Sequence, residues 1–106
     1  MSAARDVLSF AVQPIVVSVL PDGTPAVDQP TTVIWSTHSQ EVRWVAADPK
    51  TVFHICFKDK SPFDKGRHFH SSDGRSGKIT AGASGSYDYS VEINGKILDP
   101  TVVIKP

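Results

Sequence analysis

The sequence predicts an all-β fold, an antiparallel Greek-key β-sandwich of about seven to eight strands that occupies residues 1–106 as one domain. Three observations lead there. The apolar runs are short, alternate with polar residues, and are rich in Val, Ile, Thr and aromatics. Pro, Gly, Asp and Ser punctuate them at close intervals. No stretch has a helical period, so nothing in the sequence suggests the helical crossovers that usually join parallel strands. A length of 106 residues suits a single core.

Taken in order, Phe10 to Leu20 opens the fold as a strand. Pro14 forces an edge position or a break there, because proline donates no ladder hydrogen bond. Pro21-Asp22-Gly23 reads as a turn. Thr31 to Ser36 places Val33 and Trp35 on one face, and Val42 to Val45 does the same for Val42 and Trp44. The polar Thr37-His38-Ser39-Gln40 between them suggests a hairpin. Thr51 to Phe57 alternates strongly, with Phe53, Ile55 and Phe57 on one face and Val52, His54 and Cys56 on the other.

From Lys58 to Gly77 regular patterning stops, although a short hairpin around Arg67 to His70 would fit inside the stretch. Lys78 to Ala81 reads as a short strand. Ser86 to Ile93 is a half-buried strand carrying Tyr87, Tyr89, Val91 and Ile93 on its inner face. Asn94-Gly95 is the strongest turn signal in the chain, and Thr101 to Lys105 closes the domain. Trp35, Trp44, Tyr87 and Tyr89 read as core or half-core residues.

Lys plus Arg and Asp plus Glu balance at 11 each, so no global field favours nucleic acid or anionic lipid. The charge is nevertheless uneven. Six Lys/Arg against three Asp between Lys58 and Lys78 leave about +3 there and −3 elsewhere. Having no apolar period, this stretch is expected to bury little and to form the most mobile and most functional-looking surface. The lone Cys56 excludes an internal disulfide and any multi-cysteine zinc site. Met1-Ser-Ala-Ala-Arg-Asp has no apolar region behind a basic one, and Pro14 to Leu20 is too short to span a bilayer. The expectation is a cytoplasmic or already processed chain with no membrane role.

Gly85-Ser-Tyr87-Asp-Tyr89-Ser-Val91 resembles the strand that delivers the copper-binding loop in cupredoxins. Asn94 to Ile104 is similar in length to the short loop and final strand of the plastocyanin-like members, and Thr32-Val-Ile-Trp35 resembles the strand before the first copper histidine. The resemblance implies a cupredoxin-like sandwich. The copper ligands of that family do not carry over. Its thiolate position is Val91 here, the following imidazole Asn94 and the thioether Asp99. The upstream imidazole falls near Gln40 or Glu41, with His38 close but out of register. A blue-copper site needs a thiolate, two imidazoles and an axial thioether, so the resemblance implies the fold without that site.

Two constellations carry the remaining site hypotheses. His68 and His70 lie two apart, as do His54 and Cys56, so in extended segments each pair projects to one side. Brought together they would suit Zn²⁺ or copper. The plainer alternative is surface histidines with a cysteine that behaves as a small hydrophobe. Lys65, Arg67 and Arg75 are candidates to bind an anion or partner, with Phe63 and Phe69 as an apolar wall. A solvated loop whose charges maintain solubility explains the same residues. Neither Cys56 with His54 nor Ser86 and Ser90 form a nucleophile–base arrangement with an oxyanion hole, so no enzyme activity is expected. The leading expectation is a non-catalytic binding or interaction module, engaging a protein partner or a second copy through a strand edge. The alternative is a metal-binding protein built on the histidine cluster.

Overall fold

The structure, a computed structural model, describes residues 12–38 and 40–106. The readings of Met1 to Asp6, of a strand beginning at Phe10 and of Ser39 in a hairpin fall outside those residues. Nine strands form among the described residues: β1 (Val12–Val19), β2 (Pro25–Val27), β3 (Thr31–Trp35), β4 (Glu41–Ala46), β5 (His54–Phe57), β6 (His68–His70), β7 (Gly85–Ile93), β8 (Lys96–Leu98) and β9 (Thr101–Lys105). They make an all-β fold of two sheets. The smaller sheet runs β2-β1-β4 and the larger β3-β9-β7-β5-β6, with β8 also paired to β7. No helix among the described residues is long and apolar enough to cross a membrane.

The sandwich class holds, but the pairing is not wholly antiparallel. β1 lies parallel to β4, and β3 lies parallel to β9. The physical reason is the route of the chain. After β1 and β2 it enters the larger sheet as β3 and returns as β4. A crossing between sheets thus supplies the long connection that a parallel pair requires, with only the single 3-10 turn Ser36–His38 between β3 and β4 among the described residues.

The sheets meet on Trp44, whose ring packs against Phe57, Phe63, Phe69 and Tyr89 at centroid separations of 5.1 to 6.4 Å. Ile15, Val17, Ile34, Val42, Phe53, Ile55, Val91, Ile93, Val102 and Ile104 complete the buried layer. Pro14 sits where β2 has already stopped, so its missing N–H faces no partner strand. Asn94 (φ 51°) and Gly95 (φ 83°) both occupy the left-handed region that a tight two-residue hairpin requires, and they join β7 to β8.

Three expectations change. Val33 and Trp35 do share a face of β3, but it is the outer one, and Thr32 and Ile34 point inward. Trp35 is therefore no core residue, because alternation identifies two faces without saying which is buried. Lys78 to Ala81 is not a strand, since Ile79 makes only a single bridge to Phe63. The stretch Lys58 to Lys78 is firmly attached. Phe63 and Phe69 are buried in the aromatic core, and the segment 74–76 runs along the open side of β4. Isolated aromatic anchors in an aperiodic run give no periodic signal.

Candidate functional site

In place of a short hairpin around Arg67 to His70, the stretch supplies the single strand β6, which pairs antiparallel to β5 with His54 opposite His70 and Cys56 opposite His68. The flanking bonds from Phe57 N to Arg67 O and from Ser71 N to Phe53 O fix the alternation. Both polar pairs consequently occupy non-hydrogen-bonded positions, where opposing side chains approach most closely. All four point away from the core, because Ile55, Phe57 and Phe69 take the inner positions. The His54 and His70 rings meet edge to face at 4.7 Å, and Cys56 Sγ lies 3.9 Å from His68 Nε2.

The structure therefore brings the four candidate ligands into two neighbouring pairs. It does not assemble them further: among the described residues, no group of three or more His, Cys, Asp or Glu is placed to hold one metal ion. His70 also has one nitrogen occupied. The Ser72 backbone N–H donates to its Nδ1 at 3.0 Å, and the Ser72 hydroxyl contacts the same atom at 2.9 Å. An accepting Nδ1 places the proton of the neutral ring on Nε2, which then offers a donor instead of a metal-binding lone pair.

The basic candidates separate. Arg67 donates from Nε to the Phe57 carbonyl at 3.1 Å and from Nη2 to the Lys58 carbonyl at 2.7 Å, holding the end of β5. Lys65 Nζ binds Asp73 at 2.9 Å and the Arg75 carbonyl at 3.0 Å. That hydrogen bond is also the first cause holding the Asp73 carboxyl below the usual carboxylate range. Arg75 forms an ion pair with Glu41 at 3.2 Å and remains exposed. Sequence reasoning missed Arg43, which stands directly opposite Arg75 across the bridge between β4 and the 74–76 segment. Arg43 lies outside the basic stretch, so no local charge count singles it out.

The positions laid on the copper ligands have other occupations. Val91 is buried in the core, Asn94 forms the hairpin turn, and Asp99 pairs with Lys58 at 3.0 Å. Gln40 Oε1 accepts the Trp35 N–H at 2.6 Å, Glu41 holds Arg75, and the His38 ring lies 6.1 Å from that of Trp35.

An edge is the remaining feature. β3 is the last strand of the larger sheet and, among the described residues, pairs with β9 alone. Thr101 N bonds to Pro30 O, which fixes the parallel ladder so that Thr32 and Ile34 turn their backbone groups to β9. Those of Thr31, Val33 and Trp35 turn outward, and among the described residues only the Trp35 N–H meets a partner, the Gln40 side chain. Beside this edge the side chains of Val33 (44% exposed) and Trp35 (43% exposed) make an apolar strip. No protein-family model matches the chain, and no curated protein matches it either.

Proposed function

We propose that this chain is a non-catalytic interaction module of cupredoxin-like fold, without a blue-copper site, that pairs through the β3 edge with a second copy of itself. The observation that carries the reading is the outward backbone of Thr31 and Val33 beside exposed Val33 and Trp35. An edge with free donors, free acceptors and apolar side chains is a template for strand addition, which proteins that avoid it blunt with charge, proline or a bulge. β3 contains none of these.

The pattern is also self-complementary. An antiparallel copy centred on Val33 would exchange two hydrogen bonds between the two Val33 residues and set Thr31 against Trp35. The zero formal net charge opposes no such approach. The cupredoxin-like part of the reading is supported by the buried Tyr89 and Val91 on β7, the short hairpin after it and the final strand β9 returning beside β7. The metal-binding alternative has the two cross-strand pairs behind it and no third donor among the described residues.

Sedimentation velocity over a wide concentration range tests this. The wild type should form dimers as concentration rises, and Val33→Pro should stay monomeric at nearly unchanged melting temperature, since the N–H it removes faces away from β9. A wild type that remains monomeric throughout would refute self-pairing and leave strand addition by a different protein.

A further inference from the structure

On the opposite side of the molecule, β4 and the loops 47–52 and 70–75 enclose an open groove of about 550 Å³. Its construction starts from the backbone. Trp44 N bonds to Gly74 O, and Ser76 N bonds to Val42 O, both at 2.8 Å. These two bonds flank Arg43 and Arg75 and place them in a non-hydrogen-bonded antiparallel pair, the closest cross-strand spacing. Two like charges directly opposite each other are unfavourable there. Glu41 answers Arg75, and Asp73, the carboxylate that lines the groove, is held by Lys65. Arg43 has no ion pair or hydrogen bond among the described residues. One guanidinium charge of the pair is thus without an ion pair among the described residues, on a strand position directly opposite Arg75.

The rest of the groove specifies what would match it. His70 lines it as well, and the bond from the Ser72 N–H to Nδ1 places the N–H of its neutral ring on Nε2. Next along the outer face of β4 comes Val45, and with Pro49 and Val52 (56% exposed) it gives the groove an apolar wall. A volume of about 550 Å³ falls in the range of small-molecule sites. Charged forks at one end and aliphatic surface at the other fit an amphipathic ligand. A single unmatched positive charge fits a monoanion better than a phosphate dianion, and a guanidinium fork such as that of Arg43 binds a carboxylate through two parallel N–H bonds.

We infer that this groove is a binding site for a small monocarboxylate with an apolar body, its carboxylate between Arg43 and Arg75 and its hydrocarbon part against Val45 and Val52. The site lies apart from the β3 edge and does not depend on pairing there.

The test follows backbone amide shifts of the full chain during titration with 4-phenylbutyrate, using 4-phenylbutanol as the neutral control and phenyl phosphate as the dianion. The carboxylate should move the amides of Arg43, Val45, Val52 and Arg75 saturably, and added salt should weaken the effect. The alcohol should move them little. Arg43→Gln leaves no internal partner stranded and should keep its melting temperature while weakening the carboxylate by about tenfold or more. Val52→Ser should weaken it without changing the salt dependence. No saturable shift, shifts centred elsewhere, or unchanged binding in folded Arg43→Gln would each overturn the site. Tighter binding of phenyl phosphate than of the carboxylate would overturn the ligand class.

Discussion

The most consequential single residues are buried polar ones. Tyr89 and Trp44 meet at the centre of the core, 5.4 Å between ring centroids, and among the described residues neither Tyr89 OH nor Trp44 Nε1 has a hydrogen-bond partner. Burial pushes the Tyr89 hydroxyl up from 10.0 to about 12. The nearby Trp44 indole eases the shift slightly, and the charge of Asp28 adds to it. The folded chain thus holds that proton more tightly than the unfolded chain. The associated stability is complete below pH 10.0 and declines as pH rises toward about 12. The loss amounts to up to about 3 kcal/mol. Denaturant melts between pH 9 and 11.5 should show that decline in the wild type and a much smaller one in Tyr89→Phe. At neutral pH the variant should lie within about 1 kcal/mol of the wild type, because the hydroxyl it removes is unpaired. An equal alkaline decline in both proteins would mean that other groups control it.

At the scale of elements, the 58–78 stretch substitutes for a missing edge partner of β4. Gly74 is required there for space: a Cβ at that position would run into the Trp44 carbonyl oxygen. Ser76 is fully buried, and its hydroxyl accepts the Val42 N–H at 2.8 Å while donating to the Gly77 carbonyl at 3.1 Å. Gly74→Ala should therefore lower stability by roughly 1–3 kcal/mol. It should also disturb the Arg43 and Arg75 amides more than those of β3, which amide spectra would report. The sequence announced little of this. Alternation in β5 and β7 placed Ile55, Phe57, Tyr89 and Val91 correctly, and Asn94-Gly95 marked its hairpin. The clip made by residues 74–76 depends on contacts about thirty residues apart, so no local pattern carries it. The cross-strand pairing of His54 with His70 needed the register of β6, which follows from the hairpin and not from i, i+2 spacing. Arg43 became legible only once Arg75 stood opposite it.

For the whole molecule, the two sheets bury one aromatic-rich core and leave three polar or apolar features on the surface, each created by strand order. The β5–β6 hairpin displays the His and Cys pairs, the clip on β4 builds the groove, and the β3 terminus of the larger sheet turns outward backbone that has no strand partner among the described residues. Whether a module of this size works through that terminus depends on its being open in the single chain. Amide hydrogen exchange at low concentration, where the monomer predominates, reads this residue by residue. Thr32 and Ile34, bonded to β9, should exchange slowly. Thr31 and Val33 should exchange freely and gain protection only as concentration rises. Strong protection of Val33 in the dilute monomer would mean that another segment of the same chain already covers the edge, and would contradict the proposal.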